Sequence, residues 1–266
     1  MKWRCVRHRI WTALELRYCT NIRKIAQPRT MDCKVAFLNA ASDALSTPTT
    51  CTSTSTTGQS QCDERQLELL NDYWQTIQSR YAESRRFYHT MDHITEMLDL
   101  SRNHSPCSVA ESSAVTLAAI FHDVIYDPQQ QDNEEQSAQL FEEFATHTGM
   151  MEKNPGLCSA VNEMILATKA HCTEEHQTGT TGDTPLHYLL DLDMAVLGRT
   201  PERYAQYAKE IRQEYNHVPE PDYRKGRRNV LQRFLETPHI YTTTEFSSLL
   251  EERARENIKE EIRSLA

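Results

Sequence analysis

Three short stretches of this chain carry side chains that bind metals or move protons. In Tyr88-His89-Thr90-Met91-Asp92-His93 two imidazoles stand four residues apart. On a helix that spacing projects both from one face, close enough to share a site. The second stretch, His122-Asp123, comes directly after the apolar run Val115-Thr116-Leu117-Ala118-Ala119-Ile120-Phe121. So apolar a helix is expected to be buried, and an adjacent His and Asp carried inward with it must be paired or bound to a metal. In the third, Leu189-Leu190-Asp191-Leu192-Asp193-Met194-Ala195-Val196-Leu197-Gly198, two carboxylates interrupt another apolar run. Burying them among Leu and Val is costly unless a cation compensates. Each stretch by itself also reads as a satisfied core histidine or a helix-capping acid. Together they offer imidazole and carboxylate from separate elements around one core. Such mixed ligation suits one or two divalent ions, with Mn, Fe, Co, Ni, Zn and Mg all compatible.

The elements that must position these groups read as helices. Leu67, Leu70, Tyr73, Trp74, Ile77 and Tyr81 recur at spacings of three and four, the mark of an amphipathic helix. Similar stripes cover about 89–102, 109–125, 133–147, 156–170, 201–216, 222–236 and 245–264. The breaks fall at Ser105-Pro106, Asp127-Pro128, Asn154-Pro155-Gly156, the polar segment 178–185 and Glu220-Pro221, where Pro, Gly and polar clusters end helices. No strict alternation competes, so the expectation is an all-α domain without internal repeats.

Composition narrows the functional classes. Of 266 residues only 7 are Gly, and neither G-x-G-x-x-G nor G-x-x-x-x-G-K-[ST] occurs, so no backbone phosphate cradle is encoded. No apolar run approaches the ~20 residues of a membrane helix. The formal charge of −9 is divided unevenly: residues 1–62 hold nine basic and three acidic side chains, a net +6, which leaves −15 for the remainder. A body this acidic is a poor partner for nucleic acid, whose affinity comes from neutralising phosphates. Five of eight cysteines (Cys5, Cys19, Cys33, Cys51, Cys62) lie in the basic leader and no C-x-x-C pair occurs, a pattern of reduced thiols suited to the cytoplasm. The Ser/Thr-dominated segment 42–60 has little apolar surface to bury, which predicts disorder. The first thirty or so residues, basic and nearly free of acids, resemble an organelle transit peptide, mitochondrial import being one destination; a dispensable extension is the other reading. The boundaries expected are a disordered leader over 1–62 and a helical metal-binding domain over 63–266.

His93, His122-Asp123 and Asp193 follow the H…HD…D order of the HD superfamily of metal-dependent phosphohydrolases, which this chain resembles. More narrowly, Arg86-Phe87-Tyr88-His89-Thr90-Met91-Asp92-His93-Ile94 is similar to the R-x-Y-H-N-x-x-H-I start of an uncharacterised branch. Segments 121–126, 133–138, 191–198 and 254–257 are similar to that branch's later motifs, so the likeness spans about 63–264. The resemblance implies an HD-like multi-helix bundle that cleaves a small, nucleotide-like phosphate ester with metal-activated water. The Y-H-x-x-x-H element also resembles that of cyclic-nucleotide phosphodiesterases, where the first His protonates the leaving oxygen and the second binds metal. Carried over, His89 is the general acid and His93 a ligand beside His122 and Asp123. Thr90 departs from the Asn common to both groups. By similarity to the A-D-R element of ppGpp hydrolases, Asp193 is the last ligand and Asp191 its support or alternate.

His171, in Thr168-Lys169-Ala170-His171, matches a T-x-x-H element of the branch and would complete a second metal site; a helix-end histidine is the other reading. Asp123 would also help hold the attacking hydroxide. Glu134 would orient water or a ligand histidine, or serve only as a first-turn helix acid. Phosphate oxygens ask for cations, for which Arg86, Lys169 and Arg227 are candidates, with Tyr223 of the basic stretch 223–228 beside them; each cation also reads as a solvated surface charge. Two other classes stay open, a di-iron oxygenase drawing on His147 and His171, and a non-catalytic helical interaction protein. A homodimer is compatible with any of them.

Overall fold

The computed structural model describes residues 32–46, 56–104 and 109–266. They form twelve α-helices and one 3-10 helix, with no strand among the described residues: α1 (Cys33–Leu45), α2 (Thr56–Tyr81), α3 (Met91–His104), α4 (Val109–Phe121), α5 (Asn133–His147), α6 (Met150–Lys153), α7 (Pro155–Ala167), α8 (Glu174–Thr178), α9 (Pro185–Asp193), η1 (Met194–Gly198), α10 (Pro201–Glu214), α11 (Glu220–Glu236) and α12 (Thr244–Ser264). The all-α expectation holds. No described helix is long and apolar enough to cross a membrane.

Helix α4 is the hub. Every side chain from Leu117 to Phe121 is buried, as befits a helix that is apolar all round, and α1, α3, α5, α7 and α9 pack against it. Its sequence ends at His122-Asp123, so the hub delivers those two polar residues to the interior.

Helix α1 corrects the expectation of a disordered leader over 1–62. Asp32 caps it by accepting from the Lys34 and Val35 amides at 3.0 and 3.4 Å, and Cys33, Phe37, Ala40, Ala41, Ala44 and Leu45 are buried along one face. The alanines allow a close approach to α4, while the Phe37 ring sits 5.7 Å from Trp74, 6.3 Å from Phe121 and 5.5 Å from Phe144. The folded unit therefore includes α1, upstream of residue 63. Helix α2 starts at Thr56, inside the segment expected to be disordered, because Ser and Thr are tolerated in a helix that the residues beyond them anchor. The transit-peptide reading and the Ser/Thr stretch 47–55 lie outside the described residues.

At the other end, α9 and η1 are bolted to α12. A Cβ on Gly198 would stand 2.5 Å from Leu250 Cβ and 2.8 Å from the Leu250 carbonyl, so only Gly allows η1 to lie this close. Asn257 Nδ2 donates to the Leu197 and Arg199 carbonyls at 2.8 and 2.9 Å, and Tyr241 Oη donates to the Met194 carbonyl at 2.9 Å. These bonds fix the end of α9, where Asp193 sits.

Candidate metal centre

His93 comes from α3, His122 and Asp123 from the turn after α4, and Asp193 from the last residue of α9. Their donor atoms converge. His93 Nε2 is 3.0 Å from Asp193 Oδ1, and His122 Nε2 is 3.0 Å from Asp123 Oδ2 and 3.6 Å from Asp193 Oδ1. Ligands held ~2.0–2.2 Å from one small divalent ion are separated by about this much. One donor atom each of His93, His122 and Asp123 falls within 4.8 Å of the others. Burial and tautomer favour the same use. His122 Nδ1 donates to the Ala119 carbonyl at 2.9 Å, which turns Nε2 toward the Asp123 and Asp193 carboxylates at 3.0 and 3.6 Å, with no aligned hydrogen bond to either. A carbonyl-oriented imidazole whose Nε2 faces carboxylates is the arrangement of a metal ligand.

His171 joins the group. Its Nε2 lies 2.7 Å from Asp193 Oδ2, and its backbone, at φ 47°, is the one non-glycine residue in the left-handed region among the described residues. Such strain is held only where surrounding structure demands it. Burial alone would raise the Asp193 carboxyl, but the imidazoles of His122, His171 and His93 hold it well below the usual range.

Asp191 is a correction. Both its oxygens are used inside the fold: Oδ1 accepts from the Thr242 amide at 3.0 Å, and Oδ2 from the Thr243 amide and hydroxyl at 2.8 and 2.6 Å. It ties the segment before α12 to α9 and is not a metal ligand. Burial raises its carboxyl to about 6.

His89 lies before α3, which begins at Met91, so the shared helix face expected for His89 and His93 is not how they meet. Glu214, the last residue of α10, places His89 instead. Its Oε1 accepts from the amides of Phe87, Tyr88 and His89 at 2.7, 2.8 and 3.0 Å, and its Oε2 binds His89 Nδ1 at 2.7 Å and the Tyr126 hydroxyl at 2.9 Å. His89 Nε2 is left 4.0 Å from Asp123 Oδ2, and its ring lies against Tyr126 with centroids 4.2 Å apart. Burial disfavours its charged form, yet the Asp123 and Glu214 carboxylates outweigh this and raise it above its ordinary value. Glu214 itself is held down to about 2, with burial opposed by the His89 charge and the backbone donors.

Sequence reasoning missed Glu214. The signal was present: Tyr204, Tyr207, Ile211 and Glu214 form the buried stripe of α10, and a carboxylate at an apolar position needs a buried partner.

A cavity of about 850 Å³ borders this cluster, lined by His89, His122, Asp123, His171 and Asp193 and also by Tyr207, Tyr215, Tyr223, Val230 and Phe234. Glu134 and Tyr223 also line it. The cations do not serve as expected. Arg86 is buried, donating to the carbonyls of His89, Asp123 and Val124 at 3.2, 2.6 and 2.9 Å between the rings of Tyr81 and Tyr126; it clamps the His122-Asp123 turn and does not bind substrate. Lys169 and Arg227 reach the wall, but Lys169 is bonded to Glu135 and the Gln131 carbonyl, and Arg227 is held by Glu261 at 2.8 and 3.1 Å. Their charges are already met. His147 lies elsewhere, its Nδ1 2.5 Å from the Tyr73 hydroxyl.

No family model, curated protein or solved structure matches the chain.

Proposed function

We propose that this protein is a metal-dependent phosphohydrolase of the HD type, cleaving a small phosphate ester. The observation that carries the reading is the convergence of His93, His122, Asp123 and Asp193 from three separate helical segments, with the His89 imidazole facing Asp123 at 4.0 Å. An ion held by those four side chains would supply a water acidified toward ~7 and charge neutralisation for a phosphoryl group.

The chain's own groups supply the rest. Asp123, whose carboxyl is kept ionised by His122 and His89 against the effect of burial, accepts a hydrogen bond from the attacking water and orients it. His89 holds a proton at Nε2, beside the cavity, and donates it to the departing oxygen. Glu214 fixes the other ring nitrogen as a donor, so only Nε2 exchanges protons with substrate. Tyr126, stacked on His89, keeps water from one face of the ring. His171, bonded to Asp193, either steadies that ligand or joins a second ion.

The oxygenase alternative calls on additional histidines. His147 is engaged with Tyr73 and does not line the cavity, which leaves His171 alone in that role. A non-catalytic helical interaction protein gives no role to imidazoles and carboxylates converging at a cavity.

The test is metal analysis with turnover. Purified protein is expected to hold a stoichiometric first-row metal and to hydrolyse members of a phosphate-ester panel supplied with Mn, Co, Mg or Fe, and His122→Ala to lose both. His89→Ala should keep the metal and lose about 10²–10⁴ in rate. Absence of metal in the wild type, or oxygen consumption in place of phosphate release, would sink the reading.

A further inference from the structure

The charges around the cavity restrict what can enter it. Beyond the ligand cluster, Glu134 and Asp222 add negative charge to the lining, and the two lining cations, Lys169 and Arg227, are neutralised by Glu135 and Glu261. The two helices that begin at the rim offer no anion site either. The first turn of α5 carries Glu134 and Glu135, and that of α11 carries Glu220 and Asp222; acids there already complement the helix dipole. A second or third phosphate would meet carboxylates, and both cations that line the cavity are already paired with one.

Other lining residues have the opposite character. Tyr207, Tyr215, Tyr223, Phe234 and Val230 border the same cavity, an aromatic and apolar surface that favours contact with another flat, weakly polar one. Gly226, in the interior of α11, lines the same region, and a Cβ built there would have no atom within 4 Å. Gly weakens a helix interior relative to Ala, and here it keeps that part of the wall open. The volume, about 850 Å³, lies in the ~300–1,000 Å³ range of small-molecule sites, far more than a bare phosphate fills.

We propose that the substrate is a phosphomonoester with a single phosphoryl group on an uncharged, planar aromatic body, the ring lying along the tyrosine wall beside Gly226, and that di- and triphosphates are rejected. This rests on the phosphohydrolase reading and narrows it. The phosphoryl group lies toward the metal cluster, where the only large positive charge would be, and the body is held by stacking and apolar contact.

The experiment compares 1-naphthyl phosphate, glycerol 3-phosphate, adenosine triphosphate and inorganic tripolyphosphate on the Mn-supplied protein. Expected is a kcat/KM for 1-naphthyl phosphate at least tenfold above each of the others. In Gly226→Leu, checked for folding by circular dichroism, the naphthyl-to-glycerol ratio falls at least tenfold as the side chain fills the space. Equal or reversed preference in a protein that hydrolyses these esters overturns the substrate class and leaves the hydrolase reading standing. If nothing is hydrolysed with any metal, the hydrolase reading fails by itself, and calorimetric titration of the same compounds decides the substrate class: tenfold tighter binding of 1-naphthyl phosphate than of tripolyphosphate and glycerol phosphate supports it, and equal or reversed affinities overturn it.

Discussion

Asp191 and Asp193 stand two residues apart near the end of α9, the first fully buried and the second bordering the cavity, and they have different partners. Asp193 faces three imidazoles, and Asp191 faces the donors of Thr242 and Thr243. Positions i and i+2 of a helix point in different directions, so a D-x-D pattern tells that two carboxylates are buried and not which one looks at the metal. The variants separate them. Asp193→Asn is expected to lose stoichiometric metal, read by elemental analysis. Asp191→Asn should keep it while lowering stability by about 1–3 kcal/mol in denaturant melts, because an amide NH₂ then confronts an N–H or O–H donor. Glu214 offers a second contrast. In Glu214→Gln one amide oxygen still accepts the three backbone amides, but the new NH₂ meets the donors of His89 and Tyr126. Metal content should be unchanged while turnover drops about tenfold or more, measured as kcat across the pH range. The converging His and Asp residues were legible because polar side chains in apolar runs are conspicuous. Arg86 was misread because a phosphate clamp and a backbone clamp use the same guanidinium; only the carbonyls it meets tell them apart.

Among the elements, the long helices were legible to within a few residues, since stripes such as Leu67 to Tyr81 repeat the helical period over several turns. Helix α1 was not, because half of its buried face is alanine, within a basic, Ser/Thr-rich region whose average composition suggests disorder. Its weight in the core is testable: Phe37→Ala, which empties the space between Trp74, Phe121 and Phe144, is expected to cost about 3–5 kcal/mol by chemical denaturation. The short helices α8 and α9 share another device that periodicity cannot show. Each opens with Thr at the N-cap and His at the third position, where Glu or Gln usually closes a capping box; the Thr173 amide donates to His176 Nδ1 at 3.1 Å and the Thr184 amide to His187 Nδ1 at 3.3 Å. Burial and the neighbouring His187 lower His176 from 6.5 to about 4. Between those values the unfolded chain takes up a proton that the folded chain refuses, so this histidine's contribution to stability is complete above about 6.5 and is lost as pH falls toward 4, while Asp191, raised to about 6, titrates across part of the same range with the opposite sign. Glu175, held at about 2 chiefly by its bond with Thr173, titrates below this window. His176→Gln preserves the capping geometry without the titration, and its melting temperature should depend less steeply on pH between 4 and 6.5 than the wild type's; an unchanged slope would refute the assignment.

At the scale of the whole molecule, the site is assembled from segments that are distant in sequence, His89 and His93, His122 and Asp123, His171, Asp193 and Glu214, each delivered by a helix end or the turn next to it. That arrangement spreads the cost of burying charge over the entire helical fold. Two carboxylates, Asp123 and Asp193, lie inside an already acidic body, and without a cation they depend on protons carried by the surrounding imidazoles. His122, whose burial is outweighed by those two carboxylates, is raised well above its ordinary value in this arrangement. A ligand nitrogen must be deprotonated to bind metal. Metal uptake near neutral pH should therefore release at least part of one proton, counted by calorimetry in two buffers of different ionisation enthalpy. It should also stabilise the fold by mass action, by about 2.7 kcal/mol at one hundred times the dissociation constant, so melts with EDTA and with excess Mn should be separated by several degrees. Because the ligands join α3, α4 and α9, the stabilisation should reach the whole domain as one cooperative transition. If EDTA and Mn leave both the melting temperature and the proton count unchanged, the converging donors are a hydrogen-bonded core cluster and the metal assignment is wrong.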